Sequence, residues 1–456
     1  MSCSEPQPGP PAAAPDQSGL IRALGLWDAV ALIMGIMVGS GIFLMAGAIA
    51  LQIDSLPLVI AVWAFGGLLS LCGAVALSEL GAALPAAGGL YVYITRAYGS
   101  GVGFVYGWSA VALIHAGGLA TLAAAVGLYA GPLLGLDTVE RKLLGLACLG
   151  FFVLTNSLGV QVGKWVQNTL TAAKVLGLAV MTVLLYSRAD ASLLAAQWPP
   201  GDIDASWAAV GVALLAVLWA YDGWHFVSFA AGEVKRPARN IPASLLVGTV
   251  LTLVIYIFVN VAYYAVLAPE EIRGTHRVAA TAVEHAFGGG ASLLISLLIV
   301  VSILGAMNGI LLGAARVGWA MARDGLFFRS FARLSPRFRT PVVATVAQGA
   351  VTAVFTLVGT FQQLFTSYVF TSWVFYGLAV AAVMVLRRRE PELERPYRCP
   401  WYPITPVFFL LATGGIVVST IVASFWQALL GVGLILLGAP LYVLFRFYDG
   451  RRSRTA

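Results

Sequence analysis

The sequence predicts an all-α integral membrane protein with twelve membrane-spanning helices. Of its 456 residues, 60% are hydrophobic and only 10% are charged, and the mean hydropathy is +0.89. A soluble chain carries roughly 25% charged residues. Apolar runs of about 20 residues recur, and each is long enough to cross a bilayer as a helix, which satisfies its own backbone hydrogen bonds there. This composition excludes a disulfide-rich, fibrous or nucleic-acid-binding protein, and it makes membrane lipid the expected surroundings.

The first 22 residues are rich in Pro, Ala and Ser and lack an apolar stretch after a basic head. They predict a disordered tail rather than a cleaved signal. Apolar runs between Gly, Pro and charge clusters then predict the spans. These are 27–51, 56–84, 100–131, 142–160, 167–187, 206–231, 241–268, 290–322, 341–360, 364–386, 402–424 and 426–447, followed by a short tail at 448–456.

The positive residues predict the orientation. With the amino terminus in the cytoplasm, 21 of the 27 Lys and Arg residues fall in cytoplasmic segments and five fall outside, while Lys174 lies within a span. Cytoplasmic loops of membrane proteins carry the excess of positive charge. We therefore expect a multi-pass protein of a plasma or inner membrane with both termini in the cytoplasm.

Span 1 contains three glycines within seven residues, Gly35, Gly39 and Gly41, at mid-membrane depth. Glycine weakens a helix by about 1 kcal/mol relative to Ala, so the helix can open around Ser40 and leave amides without partners. Such amides at the start of a half-helix suit a carboxylate. The alternative is close helix packing, because Gly35 and Gly39 have small-xxx-small spacing.

Span 6 favours the broken helix, because Asp222, Gly223 and His225 interrupt its apolar run. Two interrupted helices five spans apart indicate a transporter built from inverted repeats, with its substrate between the breaks. The predicted organisation is a first repeat at 23–190 (spans 1–5), a second at 204–389 (spans 6–10), and two further helices at 400–447.

Several motifs in order resemble one family, the amino acid, polyamine and organocation transporters, and within it the L-amino-acid transporter group. The resemblance covers residues 25–445. It is carried by Gly39-Ser40-Gly41-Ile42-Phe43, Ser78-Glu79-Leu80, Gly88-Gly89-Leu90-Tyr91, Asn156, Ala173-Lys174, Glu233-Val234-Lys235-Arg236-Pro237, Asn240-Ile241-Pro242 and Arg387–Pro396. It implies the LeuT-like form of the five-plus-five architecture, with helices 1 and 6 broken.

The resemblance also implies a site for an amino acid between the two breaks. The substrate carboxylate would meet the backbone amides of Ser40, Gly41 and Ile42. Its ammonium group would meet the carbonyls of Ile36, Met37 and Trp219, and Trp219, Ala220 and Asp222 would form the side-chain pocket. Trp219 matches the aromatic gate of the family, although a packed core tryptophan is the alternative.

Lys174 lies inside span 5, where a charged group costs roughly 2.5 to 3.5 kcal/mol unless it is paired. Sodium-coupled relatives place a cation between helices 1, 5 and 8, and the resemblance implies that Lys174 substitutes for it by bonding carbonyls near Gly35 and Ile36. The alternative is a lysine that extends to the cytoplasmic face.

Asp222 resembles the residue found in relatives that accept cationic as well as neutral amino acids. The alternative is that its carboxylate accepts hydrogen bonds from amides exposed by the break.

The expected function is therefore sodium-independent amino acid exchange by alternating access. A proton-coupled symporter of the same fold, using Asp222, His225 or Lys174, is the alternative, and an integral-membrane transferase is a weaker one. The four histidines form no metal-ligand cluster, so we expect no catalytic residue, metal or cofactor. Animal members join a glycoprotein partner through a cysteine between helices 3 and 4. Because 131–141 contains no cysteine, we expect no disulfide-linked heavy chain.

Overall fold

A computed structural model describes residues 19–198, 206–275, 277–290, 292–359, 361–423 and 425–452. Within these ranges the regular structure is helical, apart from an isolated β-bridge between Leu24 and Val234. The helices are α1 Leu26–Met37, α2 Gly41–Ala50, α3 Leu56–Ala83, α4 Leu90–Tyr98, α5 Ser100–Ser109, α6 His115–Ala130, α7 Thr138–Ser157, α8 Val160–Tyr186, α9 Ala191–Gln197, α10 Trp207–Ala220, α11 Pro237–Tyr264, α12 Pro269–Arg273, α13 Val278–Phe287, α14 Ser292–Arg323, α15 Val342–Val358, α16 Phe361–Arg389, α17 Ile404–Ala423, α18 Phe425–Leu436 and α19 Gly438–Arg452.

Eight helical stretches in the described chain are long and apolar enough to cross a membrane, judged by length and composition. They coincide with predicted spans 1, 2, 3, 5, 7, 8, 10 and 11. The other four spans also contain helix but fall short of this standard. Span 4 (α7) begins with a charged turn, span 6 is interrupted after α10, span 9 (α15) has 17 residues, and span 12 is divided between α18 and α19.

The ends of the chain differ from the predicted tails. Leu20 is buried, so the packed structure begins before residue 23. At the other end α19 continues to Arg452, into the segment predicted as a tail. Residues 1–18 and 453–456 lie outside the described residues.

Span 1 is interrupted between α1 and α2. The Gly39 amide donates to the Met37 carbonyl at 2.7 Å instead of continuing the helical pattern, and α2 begins only at Gly41. Span 6 is interrupted after Ala220. Residues 221–225 form turns, Gly223 has a φ of +118°, and a 3-10 helix then runs from Phe226 to Glu233. Both interruptions fall at the glycines that predicted them.

The two interruptions pack directly against each other. A Cβ on Gly41 would lie 2.6 Å from the Ala220 Cα, and one on Gly223 would lie 2.6 Å from the Ile36 Cγ2. Real Cβ atoms essentially never approach this closely, so only glycine fits at either position. The glycines therefore bring the backbones of the two breaks into contact, in addition to permitting the turns.

The end of the bundle that holds the amino-terminal segment is closed by buried ion pairs, and we call it the basic end. Glu79 of α3 accepts bidentate hydrogen bonds from Arg387 at 2.8 and 2.5 Å and lies 3.1 Å from the Arg395 guanidinium. Glu233 pairs with Arg316 at 2.9 and 3.0 Å, and both side chains are fully buried. Leu24 joins this network through backbone bonds to Glu233 and Lys235.

Candidate functional site

A cavity lies between the two breaks, and we call it the central cavity. Its walls come from both breaks and from α6, α14 and α16. The lining residues are Ile36, Met37, Gly39, Ser40, Gly41, Gly118, Thr121, Leu122, Trp219, Ala220, Asp222, Ala306, Ile310 and Tyr368. Of the predicted site residues, Ile42 and Lys174 lie behind this wall and the others line it.

The start of α2 carries three backbone amides that are not engaged. In the described chain, the N–H groups of Ser40, Gly41 and Ile42 donate to no acceptor, although all three residues are buried. Buried amides without partners are rare, because each costs about 1 to 3 kcal/mol. The first turn of a helix also carries the positive end of the helix dipole. The site therefore offers an anion three donors beside the cavity.

The predicted ammonium acceptors differ in their availability. The Met37 carbonyl already accepts from the Gly39 amide at 2.7 Å and from the Tyr256 hydroxyl at 2.5 Å, which uses both of its lone pairs. The Trp219 carbonyl accepts from the Asp222 amide at 3.1 Å. The Ile36 carbonyl accepts no hydrogen bond within the described chain. Ile36 is therefore the acceptor best placed to receive a new donor.

Lys174 lies on α8 with its side chain fully buried. Its ammonium group donates to the carbonyls of Gly35 at 2.7 Å, Val38 at 2.9 Å and Ser302 at 2.7 Å. These acceptors belong to the first break and to α14, so the lysine joins spans 1, 5 and 8. The prediction placed its ammonium group on carbonyls near Gly35 and Ile36. The structure has Val38 in place of Ile36, because the chain turns after Met37.

Asp222 both accepts hydrogen bonds at the second break and lines the central cavity. Its Oδ1 accepts from the Gly223 amide and from the Tyr376 hydroxyl, each at 2.9 Å, and the residue also lines the central cavity. The side chain keeps 10% of its surface accessible. The geometry thus contains both features that the sequence left open, the acceptor for an amide of the break and a carboxylate at the pocket wall.

Two polar groups that hold the site together were not predicted. The Tyr256 hydroxyl on α11 lies 2.5 Å from the Met37 carbonyl and 2.9 Å from that of Ala220, so it bridges the two breaks. Asn308 on α14 donates to the Gly163 carbonyl and to Gln167, and accepts from Asn156. Their signal in the sequence is a polar group in the middle of an apolar run.

Aromatic side chains separate the central cavity from the basic end. His115, His225, Phe226 and Phe229 are all buried and pack ring against ring, with centroid distances of 4.8 to 5.6 Å. Glu233, at the end of the 3-10 helix that contains Phe226 and Phe229, forms its buried ion pair with Arg316 of α14. The central cavity is therefore closed toward the basic end in this structure.

Comparisons with known proteins identify the class. The family model for amino acid permeases matches residues 24–440, so the chain belongs to the amino acid permease family. Its members are transport proteins rather than enzymes.

Particular relatives cover nearly the whole chain. A serine/threonine exchanger, SteT, of Bacillus subtilis (strain 168) is 32% identical over 435 residues, which is 94% of this chain and 97% of the relative. The b(0,+)-type amino acid transporter 1 of Homo sapiens is 30% identical over 446 residues, or 95% and 90%. The Asc-type amino acid transporter 1 of Homo sapiens is 28% identical, covering 96% and 85%.

The contact between the breaks generates a prediction about Gly41. Because a Cβ there would lie 2.6 Å from backbone of Ala220, Gly41→Ala must push the breaks apart. We expect amino acid uptake into proteoliposomes to fall at least about tenfold. Gly150→Ala is the matched control, since a Cβ at Gly150 meets nothing within 4 Å. Wild-type uptake by Gly41→Ala would show that the close approach is not needed for function.

Proposed function

We propose that the protein is a sodium-independent amino acid exchanger that works by alternating access. The observation that carries the proposal is the set of unengaged amides at Ser40, Gly41 and Ile42 beside a cavity that two broken helices line. The relative named a serine/threonine exchanger supports exchange over proton symport. We propose neutral L-amino acids as substrates, and cationic ones in addition because Asp222 lines the pocket.

In this proposal the chain forms twelve spans in a LeuT-like arrangement. Inverted repeats at 23–190 and 204–389 contribute the broken helices 1 and 6, and spans 11 and 12 occupy 400–447. The basic end faces the cytoplasm, because it gathers arginines such as Arg96, Arg316 and Arg387 while the opposite end has few. Both termini are then cytoplasmic, and the protein resides in a plasma or inner membrane.

A zwitterionic amino acid complements the site. Its carboxylate would accept from the amides of Ser40, Gly41 and Ile42, and its ammonium group would donate to the Ile36 carbonyl. The Met37 carbonyl becomes available only if Tyr256 releases it. Occupancy would satisfy buried backbone groups that otherwise have no partner in the described chain, and this lowers the free energy of the closed state. Trp219, Ala220 and Asp222 would select the side chain.

Lys174 would take the place of a bound sodium ion. An ammonium group held by three carbonyls supplies a positive charge between helices 1, 5 and 8. A tethered cation cannot be released to either side, so it contributes nothing to coupling. The transporter would then need no sodium gradient.

We also propose that the protein works without a disulfide-linked partner. Neither Cys72 nor Cys148 lies in 131–141, the segment that carries the linking cysteine in animal members, and Cys399 is buried at the basic end.

Counterflow in proteoliposomes tests the function. We expect uptake of radiolabelled L-serine to require unlabelled amino acid inside the vesicle and to be unchanged when Na⁺ is replaced at fixed osmolarity. A panel of internal amino acids defines the substrate range. Uptake driven by an imposed pH gradient into empty vesicles would instead establish proton symport and refute exchange.

Lys174→Ala tests the tethered cation. The substitution leaves the carbonyls of Gly35, Val38 and Ser302 without their donor, at about 1 to 3 kcal/mol each, so we expect exchange to fall at least tenfold. Lys142→Ala is the control, because that lysine lies half-buried at the other end of the bundle and donates to a single carbonyl, that of Leu357, at 2.8 Å. Wild-type exchange by Lys174→Ala, or a Na⁺ requirement in the unmodified protein, would contradict the proposed role.

Asp222→Asn tests charge selection without removing the acceptor. Asn retains an oxygen for the Gly223 amide and the Tyr376 hydroxyl but lacks the negative charge. We expect L-arginine uptake to fall about tenfold and L-serine uptake to change less than about threefold, since only the cation loses a charged partner. Tyr376→Phe, which keeps the carboxylate, should affect both substrates alike. Equal loss of both substrates in Asp222→Asn would assign Asp222 a structural role.

A further inference from the structure

A second cavity, of about 940 Å³, opens at the basic end, and we call it the vestibule. Four segments form it: the amino-terminal segment, α4 with the chain before it, the last turn of α14 and the end of α16. Its charged and aromatic lining consists of Arg22, Tyr91, Arg96, Trp319, Arg323, Asp324 and Glu390.

The vestibule and the central cavity share one wall but are separate. Ile310 of α14 lines the central cavity and Trp319 lines the vestibule, which places the two about 13 Å apart along the helix axis. Between them Arg316 pairs with Glu233, and Gly313 packs against Phe226 and Phe229. A molecule leaving the central cavity toward the basic end would enter the vestibule once this barrier opened.

Two guanidinium groups of the vestibule have no anionic partner. In the described chain the guanidinium groups of Arg22 and Arg323 make neither an ion pair nor a hydrogen bond, whereas that of Arg96 is paired with Glu390 at 2.7 Å. Arg323 lies over the Trp319 ring, 5.1 Å from its centroid, which holds it against the vestibule wall. The Trp319 indole N–H is itself buried without a partner. The donors of the vestibule therefore exceed its acceptors, which favours a carboxylate.

Asp324 supplies a complementary acceptor next to these donors. One of its oxygens accepts from the Tyr91 hydroxyl at 2.8 Å, and no donor in the described residues engages the other. Because Asp324 follows Arg323 directly in sequence, a cationic and an anionic group stand side by side at the vestibule. A simple anion would be repelled by Asp324, whereas a zwitterion matches both charges.

We propose that the vestibule is a second, weaker binding site for the α-amino acid, which the substrate occupies between the cytoplasm and the central cavity. The substrate carboxylate binds Arg323 and Arg22, and its ammonium group binds Asp324. The proposal rests on the proposed exchange function and on the basic end being cytoplasmic.

The test compares the KM for L-serine on the two faces of the protein. Right-side-out and inside-out membrane vesicles are loaded with unlabelled L-serine, and exchange is measured for wild type, Arg323→Gln and Asp324→Asn. Arg333→Gln and Glu392→Gln are matched controls, since they make the same charge changes at exposed positions that do not line the vestibule.

We expect each vestibule variant to raise the cytoplasmic KM roughly threefold to tenfold, as expected for one charged hydrogen bond at an accessible site. The external KM and both controls should stay within about twofold of wild type. An unchanged cytoplasmic KM in both variants, or an equal rise on both faces, would overturn the vestibule site. Competition by inorganic phosphate that is equally strong in wild type and in Asp324→Asn would also overturn it, because Asp324 would then not discriminate against a simple anion.

Wild-type exchange separates this proposal from the function on which it rests. If wild-type vesicles exchange L-serine but the vestibule variants behave as the controls do, the vestibule proposal alone fails. If wild-type vesicles exchange no amino acid from the panel, both proposals fail.

Discussion

The structure depends on the contact between two interrupted helices deep in an apolar bundle. Gly41 packs on Ala220 and Gly223 packs on Ile36 at distances that exclude any side chain. A helix that opens in such surroundings exposes backbone groups that water cannot reach, so each group needs a partner within the protein or from a ligand. The surrounding polar residues are explained by that requirement.

The carbonyl groups and the amide groups of the breaks differ in how many hydrogen-bond partners the protein gives them. Carbonyls of the breaks receive the ammonium group of Lys174 and the hydroxyl of Tyr256. The amides at the start of α2 have no hydrogen-bond acceptor in the described chain. In the first break, the carbonyls of Gly35, Met37 and Val38 therefore have donors, whereas that of Ile36 and the three amides at the start of α2 remain available. Three available amides favour a ligand with a carboxylate. A bound amino acid would complete a hydrogen-bond network that the protein leaves unfinished.

Sequence reasoning located the breaks because their signals are local. Glycines in span 1 and the Asp-Gly pair in span 6 are conspicuous in apolar runs, and Lys174 is conspicuous for the same reason. The resemblance to a known family then supplied the roles of the residues. Tyr256 and the second carbonyl bound by Lys174, that of Val38, were missed, because they depend on how α8 and α11 cross the break. Distances between distant segments are not encoded in the spacing of residues.

The vestibule was missed for a related reason: each of its arginines is an ordinary positive residue of the basic end until the fold shows which of them lack partners. Its interpretation and that of the central cavity share one premise, that the unengaged amides of α2 receive the carboxylate of an amino acid. An experimental structure with a bound substrate, determined by cryo-electron microscopy, tests this most directly. The account predicts the substrate carboxylate within hydrogen-bonding distance of the Ser40, Gly41 and Ile42 amides. A substrate bound elsewhere, or helices continuous through residues 39–41 and 221–225, would contradict it.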